Sequence, residues 1–269
     1  MALVVTARQS AISGNPHGTS GYTTAAFTPS NASLLVVQVG GQTAGGSGDI
    51  GAAFTISDTA GLTWTPRANA AMTGSFATGT RQWTAPVTTG VSMTVTVDCG
   101  ANDIAQYLVS IVDVTGYDTG TPVGATVQDT SVASDGADTI TLSAGTAASS
   151  VVVGGRCGGP TGTGTILAAA GSAHTEVHDL NATSALGLHT QVCDLGATST
   201  AFSWTDTANG TGVCDHACVG VAIEVKAAAT SSTIEGEASG LFGGEFTASG
   251  GVVGLPVALR GVVRSGLRF

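Results

Sequence analysis

Two histidines and a glutamate stand at alternate positions in the stretch Ala173–Asp179, which reads AHTEVHD. If this stretch is a β-strand, His174, Glu176 and His178 point to one face, because successive side chains of a strand alternate. Two imidazole nitrogens and a carboxylate on one face could bind a transition metal such as zinc. The spacing differs from HExxH, which needs a helix. Alternating polar residues on an exposed strand explain the pattern as well, so we assign no metal ligand here.

A second cluster of possible metal ligands is Cys214, His216 and Cys218, which are spaced by two. Thiolate and imidazole groups together are typical zinc ligands. Cys193 could complete the set if its own strand lies next to the strand that follows Cys218. The paired CxxC spacing of structural zinc modules is absent, and a loop with incidental thiols explains the stretch equally. We therefore expect no cofactor, and the odd count of five cysteines does not indicate a disulfide framework.

The triplet Asp118-Thr119-Gly120 matches the catalytic loop of aspartic proteases. That chemistry needs two such loops, because two carboxylates must share one proton. The chain contains no second DTG or DSG triplet, and Asp and Gly are typical of turns. It also lacks the G-x-S-x-G nucleophile motif, and its glycine-rich stretch 158–164 lacks the Gly-Lys-Ser/Thr of a phosphate-binding loop. We predict that the protein is not an enzyme.

Three tryptophans, Trp64, Trp83 and Trp204, could form stacking platforms for sugars. Tryptophan in a β-sandwich more often fills the edge of the core. All three lie beside threonine on predicted strands, so either face of the sheet is open to them. A glycan site stays an alternative at this point.

Short apolar runs bounded by Ser, Asn and Gly predict strands rather than helices. Leu34–Val37 predicts a central strand, and the stretch 148–155, ASSVVVGG, repeats its pattern. Closing apolar strands at 105–114 and 219–226 complete a twofold order, and 52–66 is expected to form a hairpin. We predict an all-β fold, a jelly-roll-like two-sheet β-sandwich whose two halves contribute to both sheets.

The amino-acid composition of the chain changes after the predicted sandwich of residues 1–226. Residues 227–232 read as a linker, and residues 233–269 are rich in glycine with few large side chains. This stretch is either a solvated terminus or an extended arm that adds strands to a neighbouring subunit and places its arginines against an acidic body. The arginines are Arg260, Arg264 and Arg268.

Composition restricts the classes of partner. The 269 residues carry a formal net charge of −10, and only 10% of them are charged. Contacts to nucleic-acid phosphates need clustered Lys and Arg, so no nucleic-acid partner is expected. No apolar run approaches eighteen residues, and the N-terminus lacks the pattern of a signal peptide, so we expect no membrane insertion and assembly in a cytoplasm.

Most of residues 20–226 resembles a β-sandwich module of virion proteins from tailed phages that infect actinobacteria, and of related bacterial surface proteins. The resemblance is carried by the stretches FTPSNASLLVVQVGG, ISDTAGLTWTPRA, VSMTVTV, AQYLVSIVDVTGYDTGTPVGAT, ASSVVVGG and GVAIEVKAA. The diagnostic residues are Phe27-Thr28-Pro29, the strand Leu34–Val39, Ser57–Gly61 with Trp64, and Gly116-Tyr117-Asp118-Thr119 with Pro122. The later stretch EGEASGLFGGEFTASG resembles glycine-rich modules at the ends of phage minor tail proteins.

The resemblance implies a structural or adhesive part of a particle, present in several copies, and no catalytic residues. We therefore expect a minor tail protein of a virion, with other virion proteins and copies of itself as partners. A capsid decoration protein or head fibre is the nearest alternative. A carbohydrate-binding module that attaches to the host wall is the alternative from another class.

Overall fold

The structure is a computed structural model that describes most of the chain up to Ala229. The described residues are 2–13, 18–43, 49–72, 77–129, 137–147, 149–158, 168–170, 174–181, 187–193, 201–206 and 218–229. The predicted arm, residues 233–269, lies outside them. No helix among the described residues is long and apolar enough to cross a membrane.

Sixteen strands and one short helix make up these residues. The first half contains β1 (Val4–Ile12), β2 (Tyr22–Thr23), β3 (Ser33–Thr43), α1 (Ile50–Ala53), β4 (Thr55–Asp58), β5 (Thr65–Met72), β6 (Thr78–Val87), β7 (Val95–Asp98) and β8 (Ile104–Thr115). The second contains β9 (Val123–Asp129), β10 (Ala137–Thr141), β11 (Val151–Gly158), β12 (Ala168–Ala170), β13 (Thr175–Asn181), β14 (Gly187–Cys193), β15 (Ala201–Asp206) and β16 (Cys218–Val225). The all-β prediction is confirmed.

Each half forms its own pair of antiparallel sheets. The first half has a five-stranded sheet in the order β1-β8-β3-β6-β5 and a three-stranded sheet in the order β2-β7-β4. The second half has β9-β16-β11-β14-β13 and β10-β15-β12. Adding eight to every strand number of the first half gives the second half. The order 1-8-3-6 facing 2-7-4 is that of a jelly roll, except that the fifth strand pairs with the sixth in the larger sheet and not with the fourth. The predicted twofold order is therefore confirmed.

The prediction of one two-sheet sandwich shared by both halves needs correction, because the described residues form four sheets in two jelly rolls. Leu35 and Val37 of β3 point into the first sandwich, towards Val95 and Val97 of its three-stranded sheet. The opposite face of β3 packs on the second half. A strand buried on both faces has the same sequence pattern in either arrangement, so the pattern could not show which sheet covers each face.

Every edge strand of the two five-stranded sheets contains one extra residue relative to its neighbour. The shifts fall between Ala7 and Gln9 in β1 and between Pro66 and Ala68 in β5. In the second half they fall between Glu176 and His178 in β13, and opposite Glu224 in β9. Bulges end regular pairing and twist an edge away from further strands, so both halves protect their edges in the same way.

The predicted hairpin at 52–66 is wrong, because β4 and β5 belong to different sheets. Asp58 directs the crossing: its carboxylate accepts hydrogen bonds from the backbone N–H groups of Ala60 (2.7 Å) and Leu62 (3.2 Å). Gly61 sits between them with φ +74°, a conformation that favours glycine. This loop, held by Asp58, therefore carries the chain from one sheet to the other and does not close a hairpin.

The predicted linker comprises residues 227–232, and its first residues belong to the body. Ala227 forms a β-bridge with Tyr117, and the Ala228 N–H donates to the Gly116 carbonyl at 2.8 Å. Residues Met1–Thr230 belong to one compact unit. A cut after Thr230 therefore follows the end of this unit and removes no described hydrogen bond.

Candidate functional site

The two halves of the chain meet at the face between their five-stranded sheets. Across this face β1 contacts β13, β8 contacts β14, β3 contacts β11, β6 contacts β16, and β5 contacts β9 and β16. Two apolar clusters fill its ends. One contains Leu34, Val36, Val112, Val114, Val153, Ile223 and Val225, and the other contains Ala68, Ala70, Leu108, Cys157, Leu180, Leu188, Val219 and Val221.

A polar belt lies between the two apolar clusters and consists of Gln38, Thr80, Gln82, Ser110 and His178. The Gln38 amide donates to Thr80 Oγ1 at 2.9 Å, and Thr80 Oγ1 donates to the Val39 carbonyl at 2.8 Å. The Gln82 amide reaches Gln38 Oε1 at 3.2 Å and crosses to the Val153 carbonyl of the second half at 3.3 Å. Buried donors and acceptors lose their partners when facing sheets shift relative to each other. This belt therefore fixes the register of the two jelly rolls.

Ser110 and His178 connect the halves through a 2.8 Å hydrogen bond between Ser110 Oγ and His178 Nδ1. A serine bound to an imidazole is the arrangement of an activated nucleophile. Here Ser110 is only 1% exposed and lies between two packed sheets, so a substrate has no path to its oxygen. The pair instead ties β8 of the first half to β13 of the second. Sequence analysis missed it because the two residues are 68 positions apart.

Burial lowers the pKa of His178 from its ordinary value. Below the unfolded-state pKa of about 6.5, the unfolded chain takes up a proton that the folded chain resists. We therefore expect the free energy of unfolding to fall as the pH decreases from 7.5 to 5.5, with His178 contributing to the slope. His178→Asn keeps a polar partner for Ser110 but cannot titrate, so it should flatten this slope. Urea unfolding at several pH values measures it, and equal slopes for both proteins would contradict the assignment.

The predicted grouping of His174, Glu176 and His178 on one face is wrong. The bulge between Glu176 and His178 breaks the alternation of β13. The His174 ring packs edge-on against Phe202, with the ring centroids 4.9 Å apart, inside the second sandwich, whereas His178 faces the first half. The two imidazoles therefore lie on opposite sides of the sheet and do not chelate one metal ion.

The cysteine cluster divides in a similar way. Cys214 and His216 lie outside the described residues. Cys193 pairs with Val152 and Cys218 with Gly158, at opposite ends of β11. Six residues of strand separate these positions, about 20 Å, so Cys193 cannot join a site at Cys218. Among the described residues, no group of three or more His, Cys, Asp or Glu residues could hold a metal ion.

The two cysteines whose side chains are described are buried thiols, Cys99 and Cys157. Burial raises the pKa of Cys99 to about 11 and that of Cys157 to about 12. A thiol with so high a pKa is protonated at neutral pH and is a poor nucleophile. Both act as small apolar residues of the core.

Asp118 of the protease-like triplet closes a turn. Its Oδ1 accepts the backbone N–H of Gly120 at 2.8 Å, and its Oδ2 accepts the Thr121 hydroxyl at 2.9 Å. The Gly120 N–H, followed by the two Thr121 donors, lowers the pKa of Asp118, which keeps the carboxylate ionised. Both oxygens of this carboxylate are thus bound by donors of their own turn. The turn interpretation of this triplet is confirmed.

Two of the three tryptophans are part of the first jelly roll's packing. Trp83 is 3% exposed, and the Arg81 guanidinium lies 5.2 Å from the centre of its ring. Trp64 packs against the same core and donates its indole N–H to Asp58 Oδ2 at 2.7 Å. The side chain of Trp204 lies outside the described residues. The Trp83 ring is therefore too buried for sugar stacking, whereas Trp64 is partly buried and is held through its indole N–H.

A buried acid on the last strand of each half is the feature that sequence analysis overlooked. Asp113 Oδ2 accepts the backbone N–H of Ser30 at 2.6 Å and the Arg8 Nε–H at 2.8 Å. In each half these donors come from the loop before the central strand and from the first strand. Asp113 pairs with Leu35 of β3 just as Glu224 pairs with Val152 of β11.

Glu224 makes the corresponding contacts in the second half. Its carboxylate accepts the backbone N–H groups of Ala147 at 2.7 Å and Ala125 at 2.8 Å. Burial alone would raise the pKa of Glu224, but these donors outweigh it and the pKa is lowered. Glu224 therefore stabilises the fold above its unfolded-state pKa, and this contribution is lost as the pH falls through its lowered folded-state value. The two acids close the two jelly rolls in the same way.

Comparison with known proteins found no matching family model, no matching curated protein and no matching solved structure.

Proposed function

We propose that the protein is a structural component of a tailed-phage virion, specifically a minor tail protein that docks to neighbouring subunits through residues 231–269. The observation that carries this proposal is the body of two jelly rolls, in which the face between the five-stranded sheets is used for packing and register. Jelly rolls recur in viral coat and lectin domains. The virion role is inferred by analogy between folds. Docking through residues 231–269 is the part of the proposal that experiment can test directly.

Charge distribution supports docking through the C-terminal segment. Its three arginines are matched by three glutamates, so the body carries the whole net charge of −10. The last ten residues contain all three arginines and no acid. A positive end on a neutral segment is attracted to the acidic body of another subunit, and ionic strength should weaken that attraction.

The bulges restrict how this docking can occur. Strand addition needs a regular open edge, and all four edges of the five-stranded sheets are interrupted. We therefore assign attachment to charge and apolar contacts rather than to extension of these sheets.

Truncation after Thr230 tests the proposal. The truncated chain should keep the melting temperature of the full chain, because the body is a separate compact unit. It should be lost from purified phage particles when it replaces the full chain during assembly, as quantified by mass spectrometry. The triple variant Arg260→Gln, Arg264→Gln, Arg268→Gln keeps the segment length and should show a partial loss. Normal incorporation of the truncated chain would refute docking through this segment.

The position in the particle separates the minor tail protein from a capsid decoration protein or head fibre. Antibody labelling of intact particles against the body should mark the tail. Labelling of the head would replace the tail assignment with the decoration protein, and absence from the particle would reject the virion role.

A further inference from the structure

We infer that the two jelly rolls are each other's specific partner, because their facing sheets are complementary to one another and not to themselves. This preference of each half for the other does not depend on the proposed role in a virion. It concerns the face between the five-stranded sheets and identifies what that face can bind: the other half of this chain, and not a second copy of the same half.

The facing strands follow the pattern of a symmetric dimer. The first strand of one half contacts the fifth strand of the other, in both directions: β1 contacts β13, and β9 contacts β5. The eighth strand of each half contacts the sixth of the other, and the central strands β3 and β11 contact each other. In a twofold dimer a patch on one subunit meets the same patch on the other, and the chain reproduces that exchange between its halves.

Equivalent residues meet at the centre of the face. Leu35, which pairs with Asp113, and Val152, which pairs with Glu224, occupy equivalent positions in β3 and β11. Three residues further along each strand, Gln38 is equivalent to Gly155. Two residues beyond these, Gly40 is equivalent to Cys157. The Gln38 amide lies where a side chain at Gly155 would be, and a Cβ atom at Gly40 would lie 2.6 Å from Cys157 Sγ. Each pair thus combines one side chain with one glycine.

Pairing of like halves would break this complementarity. Two copies of the first half would bring two Gln38 side chains into the space that now holds one, and would set Gly40 against Gly40. Two copies of the second half would set Cys157 against Cys157 and leave the Gly155 positions empty. Overpacking and cavities both destabilise a closely packed face, so like pairs are selected against.

A nicked full chain tests the inference. The turn Asp118–Thr121 has exposed residues at Thr119, Gly120 and Thr121. A protease recognition sequence can be inserted between Gly120 and Thr121, because exposed loop tips are the positions where insertions are generally tolerated. After cleavage the two fragments should elute together on size exclusion at the mass of the uncut chain. After unfolding in urea and refolding, native mass spectrometry should show mixed pairs exceeding like pairs by at least about tenfold.

A matched pair of variants connects the preference to the glycines. In the nicked chain, Gly155→Gln should lower the ratio of mixed to like pairs, because two glutamines then compete for one space. Combining it with Gln38→Gly should restore the ratio, because the glycine and the side chain have only changed sides. Fragments that separate after cleavage, or a statistical mixture of pairs in the unmodified nicked chain, would overturn the inference.

Discussion

Replacement of Asp113 by alanine is expected to lower the free energy of unfolding by about 3 kcal/mol, the magnitude seen when one member of a buried ion pair is removed. The Asp113 side chain is fully buried, and its Oδ2 accepts bonds from Arg8 and from the Ser30 N–H. The variant leaves a guanidinium and a backbone donor without their acceptor, and it also frees the loop before the central strand β3.

Urea unfolding followed by circular dichroism measures this loss. Asp103→Ala is the control, because Asp103 is an exposed aspartate just before β8 and its removal should change the free energy of unfolding by less than about 0.5 kcal/mol. Asp113→Asn keeps an acceptor oxygen without the charge and should fall between the two. Equal stabilities of the Asp113→Ala and Asp103→Ala variants would show that the carboxylate does not close the first jelly roll.

Phe202→Ala is expected to cost about 3–5 kcal/mol, the range for deleting a buried aromatic ring. Phe202 is fully buried in the second sandwich with Ile140, Leu142, Val152 and Ala222. Its ring also fills the space beside Gly154, where a Cβ atom would lie 2.5 Å from Phe202 Cε1. Deletion of the ring therefore leaves a cavity that its neighbours cannot fill without moving a strand.

The same unfolding measurement checks this second prediction. Phe202→Leu keeps most of the apolar volume and should lose less than half as much stability as Phe202→Ala. Val91→Ala, at a side chain that is 49% exposed, should leave stability unchanged. A loss below about 1 kcal/mol for Phe202→Ala would mean that the second half lacks the separate core described here.

The central strands could be predicted from sequence because their runs are continuous. Leu34–Val37 and the matching run at 151–153 are apolar on both faces, and both occupy the middle of a five-stranded sheet. The number of sheets could not be predicted, because burial on both faces does not distinguish a neighbouring sheet of the same jelly roll from one of the other.

The contacts of the buried acids and the faces of the histidines could not be predicted for a different reason. Asp113 and Glu224 stand alone in apolar strands, and their partners come from a loop 83 or 77 residues earlier in the chain and from a strand 105 or 99 residues earlier. One extra residue in β13 was enough to turn His178 away from His174. Local alternation carries no signal for a long-range hydrogen bond or for a bulge, so a plausible metal pattern formed where the fold has none.

Cryo-electron microscopy of phage particles assembled in the presence of this chain is the sharpest test of the proposed virion role. We expect density for two jelly rolls stacked through their five-stranded sheets, with residues 231–269 of each chain lying on a neighbouring subunit. Density in which these residues fill the interior of their own body, or particles that contain no copy of the chain, would contradict it.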